Sequence, residues 1–350
     1  MNRRLDFNRA GAGLDLDAMK ISVAIPCHNA KKFIAATLDS VLEQTAQPAE
    51  ILVIDDGSSD GSADFIAANY PMVKLVRQEN RGVAPTRCSL AAMAAGDLVA
   101  CLDADDLWHP DYLKAHLRAF ERHPDAVASY IMHENFEGDG VYDWKTHPVS
   151  DDGSTILVDP LEFMRDYNEN TGKYSSTSFL CLKKSVLNAL GPEPFKISAV
   201  EDSYIATLLP LHGPVVFTPA ALGCYRLTGG SLSANRVKSL KLWVQVFETL
   251  EKTFATLPDS RMRREFERAY ALRLRRCGKT LMGAGEIIAA RGLFSRAAGR
   301  PANLVSKGKS LGLLLSTYMP GTMQPKWPPA TRAGELTRAA ASTPSPGLKN

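Results

Sequence analysis

Two groups of carboxylates stand out in the sequence, Asp55-Asp56 and Asp103-Ala104-Asp105-Asp106, each directly after a short apolar run. Like charges gathered at one place raise one another's pKa and cost stability unless a cation or hydrogen-bond donors compensate. A hard divalent ion that accepts carboxylate and phosphate oxygens is the natural compensator. Asp103 and Asp105, two apart on an extended strand end, can point along one face and hold a ligand hydroxyl and a metal together. Asp105 is therefore the expected metal ligand, and Asp106 the expected cap of the following turn. Asp56 also has a capping reading. A third acidic pair, Glu201-Asp202, precedes a long uncharged stretch. From the residues alone it reads as negative charge in the first turn of a helix, which the helix dipole favours.

The elements that must position these acids repeat one pattern over the first 110 residues. Apolar runs at 21–25, 51–54, 73–77 and 98–102 alternate with polar turns and helix-period segments. Phe33, Ile34, Leu38, Val41 and Leu42 recur at helical spacing, and further helices are expected over 62–69 and 83–95. Strands and helices alternating with short connections imply a mostly parallel sheet covered on both faces, an α/β Rossmann-like architecture. In such sheets ligands bind beyond the carboxyl ends of the strands, where the acidic clusters lie. From residue 111 the pattern weakens. A helix is expected over 112–120 and strands over 127–132 and 178–182, with the polar segment 133–159 read as a substrate-facing loop or hairpin. Residues 203–225 read as helix, turn and strand, because Pro210, Pro214 and Pro219 interrupt any membrane span. Helices follow at 237–256 and 261–279, the second with Met262, Phe266, Tyr270 and Leu274 on one stripe.

The chain of 350 residues is 45% hydrophobic and 23% charged, which excludes collagen-like, wholly disordered and small disulfide-stapled classes. Its six cysteines form no Cys-x-x-Cys pair. They are expected to be reduced thiols of a cytoplasmic protein, with no structural zinc. No apolar segment follows the first charged residues, so no secretory signal is expected. Residues 1–235 carry 20 Lys+Arg against 31 Asp+Glu, whereas 236–309 carry 17 against 6. An acidic body followed by basic helices suits an anionic partner. That partner would be a lipid surface on the inner face of the membrane rather than nucleic acid, for which no zinc-finger or RNA-recognition signature exists. The other reading of the basic helices is a solvated face with ordinary packing.

The motifs taken together resemble family 2 glycosyltransferases. Ile21-Ser-Val-Ala-Ile-Pro-Cys-His-Asn29, Ile51-Leu-Val-Ile-Asp-Asp-Gly57, Asn80-Arg-Gly82, Ala95-Gly-Asp97 and Leu102-Asp-Ala-Asp-Asp106 stand in that family's order and spacing. The match returns at Glu201-Asp202 and Tyr225-Arg226. The resemblance implies a glycosyltransferase A fold, a nucleotide-diphosphate sugar donor with UDP favoured over GDP and dTDP, and inversion at the anomeric carbon by direct displacement. It implies that Pro26, His28 and Asn29 line the nucleotide pocket and that Asp56, supported by Asp55, hydrogen-bonds the base. Asp103 and Ala104 would adjoin the ribose, and Asp105 would ligate Mg²⁺ or Mn²⁺ at the diphosphate. Arg87 is a nucleotide contact or else a salt bridge. Asp202 resembles the family's base, with Glu201 orienting it or contacting the acceptor.

Implied organisation is a disordered arm (1–19) and a catalytic domain (20–235) with a nucleotide-sugar half (20–110) and an acceptor half (111–235). A basic helical extension (236–319) and a disordered tail (320–350) complete it. His28 stands where the family usually has tyrosine, and Thr228 where many members have histidine. A Gln-x-x-Arg-Trp sequence of processive synthases is missing, which favours transfer of a single sugar to a carbohydrate or lipid-linked acceptor in cell-surface polysaccharide or glycolipid assembly. Trp108 and Trp144 are candidates for stacking on sugar rings, Trp108 with a core role as its alternative. The competing readings are a sugar nucleotidyltransferase and a catalytically silent binding protein of the same fold.

Overall fold

The computed structural model describes residues 19–138, 142–144, 147–169, 174, 176–228, 236–301 and 304–318. The expected arm, apart from Met19, and the expected tail lie outside them.

Four strands, β1 (Ile21–Cys27), β2 (Glu50–Asp56), β3 (Lys74–Gln78) and β4 (Leu98–Cys101), are joined by α1 (Ile34–Leu42), α2 (Ser62–Asn69) and α3 (Val83–Met93). They pair in parallel, in the order β3-β2-β1-β4. Alternate residues divide between two cores. Val23, Ile25, Ile51 and Val53 join Ile34, Leu38 and Val41 of α1 on one face, and Ala24, Leu52 and Ile54 join Leu90 and Ala91 of α3 on the other. Period-two alternation of apolar side chains on both faces is what a sheet sandwiched between helices requires.

The second half is less regular. It contains β5 (Leu107–Trp108), α4 (Tyr112–Arg122), β6 (Ala128–Glu137), β7 (Ile156–Val158), α5 (Pro160–Glu169), β8 (Leu180–Lys183), α6 (Lys184–Ala189), α7 (Glu201–Leu208) and β9 (Val215–Leu227). Beyond β4 the sheet continues β8-β6-β9-β5, with β7 also on β9. β8 is antiparallel to both β4 and β6, and β9 is parallel to β6. The sheet is thus parallel in its first four strands and mixed thereafter. Segment 133–159 is also not simply a loop: His133 to Glu137 prolong β6 along β9, and β7 follows.

α8 (Arg236–Ala255), α9 (Ser260–Gly283), α10 (Ile287–Gly299) and α11 (Leu304–Ser316) close the described chain. The stripe Met262, Phe266, Tyr270, Leu274 is buried, in a third core shared with Met164 of α5 and Tyr204 and Leu208 of α7. Phe254 stacks on Phe266 at 4.1 Å between ring centroids. The C-terminal helices therefore pack on the element that carries Glu201 and Asp202.

Candidate active site

Strand order reverses between β1 and β4, and at such a switch point the loops part to leave a crevice beyond the carboxyl ends of the strands. The β1 and β2 loops are laced together there. Asn29, at φ +50°, a left-handed conformation that asparagine tolerates, accepts from the Ser59 amide at 2.8 Å. Its own amide donates to Ser58 Oγ at 2.9 Å. The exposed His28 ring donates from Nδ1 to the Asp56 carbonyl at 2.8 Å, so His28 is hydrogen-bonded at the rim. Pro26 lies buried in β1, opposite Ile54.

Asp56 is 4% exposed and its carboxylate is held from three directions. Gln78 Nε2 donates at 2.7 Å, and the amides of Arg81 and Gly82 each donate at 2.8 Å. This is the physical use of the Asn80-Arg-Gly82 turn: it fixes the aim of a buried acid. Gly57 makes the close approach possible. At φ +70° its missing Cβ would lie 2.8 Å from the Asn80 nitrogen. Asp55 accepts from the Ser58 amide at 3.2 Å, and its second oxygen is buried without a partner among the described residues. Burial, then Asp55, push the Cys27 thiol up to about 12. The six cysteines are all free, and five are buried.

Beyond β4, Asp103, Ala104, Asp105 and Asp106 turn through the crevice. The Ala104 carbonyl accepts from Thr37 Oγ1 at 3.0 Å, and the Asp103 amide donates to Ser178 Oγ at 2.9 Å. Asp106 is fully buried and accepts from the Arg226 amide at 2.9 Å, which ties β9 to this turn. Arg226 Nε also donates to the Asp105 carbonyl at 2.8 Å. Burial, then Asp105 and Asp103, push the Asp106 carboxyl well above the usual range. Burial, followed by Asp103, pushes Asp105 up to about 6. Among the described residues there is no cluster of three metal-ligating side chains. The donor set offered, one or two carboxylates of which Asp105 resists ionisation alone, fits the way Mg²⁺ is held by few protein oxygens together with substrate phosphates and water.

Arg87, on α3, is 3% exposed and joins the two halves of the crevice. Its Nη2 donates to Asp103 Oδ1, and its Nε donates to Glu201 Oε1 at 3.3 Å. Burial opposes the charge, but Asp103 and Glu201 more than offset it and leave the guanidinium more basic than usual. Of the two expectations for Arg87, the salt bridge describes the contacts it makes. Glu201 Oε2 and Arg87 Nη1 are buried without partners among the described residues.

Glu201 and Asp202 open α7. The segment before them contains Ile197 at φ +63° and Ala199 at φ +76°, strained values for residues with side chains and dearest for a β-branched one. Ser198 Oγ accepts from the Ala84 amide at 3.3 Å, which anchors this segment to α3 beside the Asp56 turn. Asp202 Oδ1 accepts from the Ser203 amide at 2.6 Å. Its surface is half-buried, yet protein surrounds the carboxyl on most sides. Burial, then the Glu201 carboxylate, push it up to about 7, against the opposing effects of the Ser203 amide and Arg87. A groove of about 570 Å³ opens between α3 and residues 192–198, lined by Arg81, Cys88, Glu193, Phe195 and Lys196.

Trp108 does not face this crevice. It is 1% exposed, stacks on Tyr112 at 4.2 Å and donates from Nε1 to the Ser178 carbonyl at 3.0 Å, so its core reading holds. Trp144 is half-buried against His109 and Tyr142. Sequence reasoning missed Gln78 and Ser178, whose partners are remote along the chain and leave no local pattern.

Much of the positive charge of the C-terminal helices is used inside the protein. Arg268 meets Glu169 and Glu265, Arg296 meets Glu248, and Arg300 meets Glu251 and Glu267. Arg275 donates to Ser306 and Ser310. No helix among the described residues is long and apolar enough to cross a membrane.

Comparison with known proteins places this geometry. Residues 22–191 match the profile of Glycosyl transferase family 2. An uncharacterized glycosyltransferase of Nostoc is 30% identical over 218 residues, 61% of this chain and 66% of the relative. The Escherichia coli chondroitin synthase is 28% identical over 123 residues, 34% of this chain and 18% of that enzyme. The chain thus spans just under two thirds of the first relative and under a fifth of the second. In three dimensions the chain is similar to S. aureus TarS residues 1–349 in complex with UDP-GlcNAc. The TM-score is 0.60 at 16% identity, covering 85% of this chain and 90% of that one. It is also similar to the mannosyltransferase PcManGT from Pyrobaculum calidifontis in complex with GDP-Man and Mn²⁺. There the TM-score is 0.54 at 20% identity, covering 92% and 86%. Relatives among the polysaccharide synthases, the matched profile and the shared architecture agree with the acidic crevice at the strand ends: residues 22–191 form a family 2 glycosyltransferase domain, and the chain has the glycosyltransferase A fold.

Proposed function

We propose that this protein transfers a single sugar from a nucleotide-diphosphate sugar to an acceptor hydroxyl, inverting the anomeric carbon, in the assembly of a cell-surface polysaccharide or glycolipid. The observation that carries the reading is Asp202. It is an acid pushed up to about 7 at the start of α7, and Glu201, Arg87 and Asp103 link it to the strand ends where a donor would lie. A general base is most effective when its pKa lies near the working pH, because it is then both available and able to take the proton.

In this reading the buried Asp56 carboxylate, aimed by Gln78, Arg81 and Gly82, accepts from the nucleobase, and the His28–Asn29 loop closes the base pocket. UDP is the proposed nucleotide; TarS is known with UDP-GlcNAc and PcManGT with GDP-Man. Asp103 and Ala104 adjoin the ribose. Asp105 would hold Mg²⁺ or Mn²⁺, which when bound supplies Lewis-acid stabilisation of the departing diphosphate. Asp202 takes the proton of the acceptor hydroxyl as that oxygen forms its bond to the anomeric carbon and the bond to phosphate breaks. Glu201, fixed by Arg87, holds the first turn of α7 in place and keeps Asp202 turned towards the acceptor.

The test is release of nucleoside diphosphate from a panel of UDP-, GDP- and dTDP-sugars with Mn²⁺ and glycan acceptors, with the anomeric configuration of any product read by NMR. Release of nucleoside diphosphate with an inverted product is expected. Pyrophosphate exchange in its place would indicate a nucleotidyltransferase. Silence across the panel, with binding retained, would indicate a non-catalytic protein of the same fold.

A further inference from the structure

The C-terminal helices bring a cation to the back of the catalytic helix. Arg273 of α9 is 3% exposed, and its guanidinium lies over Trp243 at 4.1 Å from the ring centroid. Nε donates to Asn168 Oδ1 at 3.1 Å and Nη2 to the Tyr167 carbonyl at 3.4 Å, while Nη1 is buried without a partner among the described residues. Tyr167 approaches the acid with the other end of its side chain. The Tyr167 hydroxyl lies 2.9 Å from Ser203 Oγ, and the Ser203 amide donates to Asp202.

A buried cation ordinarily needs an acid in contact. No described carboxylate forms an ion pair with Arg273, and the groups that favour its charge are Tyr167 and Asp202. The titratable and charged groups facing Asp202 are Glu201 on its own helix, Arg87 from α3, Tyr130 from β6, Tyr167 from α5 and Arg273 from α9. Of the two cations, Arg87 is already shared between two acids. Arg273 is the one whose charge is not otherwise matched.

We propose that Arg273 is a positioning residue for sugar transfer: through Tyr167 and Ser203 it fixes the aim of Asp202, and its guanidinium supplies the counter-charge behind that carboxylate. The helices after residue 236 then complete the acceptor side of the site rather than merely extending the fold. This inference rests on the reading of Asp202 as the base.

The experiment compares wild type, Arg273→Gln, Arg273→Lys, Tyr167→Phe and Asp202→Asn, each checked for folding by circular dichroism, in pH profiles of kcat/KM with the donor KM measured separately. Loss of the cation should move the acidic limb up by about one unit, which lowers kcat/KM near pH 7 about fivefold. Rate should return by about pH 9, with donor KM within about twofold. Arg273→Lys should bring the limb back, because it restores the charge. An unmoved limb and unchanged kcat in folded Arg273→Gln overturn the inference. Should that variant not fold, Tyr167→Phe decides, since an unchanged kcat there overturns the proposed relay and a severalfold drop at constant donor KM supports it. Full activity of Asp202→Asn would instead defeat the underlying base assignment. An inactive Asp202→Asn beside a normal Arg273→Gln defeats this inference alone.

Discussion

Replacing Arg87 by methionine removes the cation that joins Asp103 to Glu201, and the cost can be apportioned from exposure. The Asp103 side chain is 29% exposed, so water takes over much of its charge once the guanidinium is gone. Glu201 is 7% exposed and one of its oxygens already has no partner, so the penalty falls mainly on that carboxylate. Removing one partner of a buried ion pair typically costs about 3–5 kcal/mol. With Asp103 largely rehydrated, the lower end, about 3 kcal/mol, is expected, against a typical domain stability of about 5–15 kcal/mol. Urea denaturation would read this as a fall in midpoint at constant m value. Glu201→Gln in the Arg87→Met background removes the stranded charge and should restore at least about half of the loss, a coupling that a double-mutant cycle isolates. A loss below about 1 kcal/mol in Arg87→Met, or a double variant no more stable than the single, would refute the reasoning.

Other consequences can be tested separately. Asp202 must be ionised to accept a proton and its carboxyl is pushed up to about 7, so kcat/KM should rise with pH through that value and then level; a flat profile from about pH 5.5 to 8.5 would contradict this. Gly57→Ala places a methyl group against the Asn80 backbone at a φ that alanine resists, so it should loosen the Asp56 turn and weaken nucleotide binding at least about tenfold by calorimetry. Asp105→Asn should remove the Mn²⁺-dependent part of donor binding, as EDTA should for the wild type, whereas a variant whose donor binding still responds to Mn²⁺ as the wild type does would show that Asp105 is not a ligand.

The parallel half of the fold was legible because its strands are short apolar runs, buried in β1, β2 and β4, that alternate with turns and helices, and the acids that end β2 and follow β4 lie where such a sheet opens. The mixed half was not. β6 continues into polar His133-Glu134-Asn135 because β9 pairs with it, a partner more than 80 residues away that no local period announces. α10 and α11 were missed because Gly292, Gly299, Gly308 and Gly312 lower helix propensity, while packing of Ala290, Phe294 and Ala297 outweighs it in α10. At the crevice, Asp56, Asp105 and Asp202 were singled out as candidates by their place after apolar runs and by motif order. The cations were harder to read. Arg87 and Glu201 are 114 residues apart, and Arg273 and Asn168 are 105 apart. Trp108, next to the acidic turn in sequence, points into the core because β5 pairs with β9 and turns its ring onto Tyr112.

The most direct measurement is a comparison of Asp202→Asn with wild type in two assays, calorimetric binding of the nucleotide sugar and turnover to free nucleoside diphosphate with acceptor present. The account predicts donor affinity within about twofold and turnover reduced by about 10²- to 10⁴-fold, the usual contribution of a positioned base. Undiminished turnover in the folded variant would contradict it.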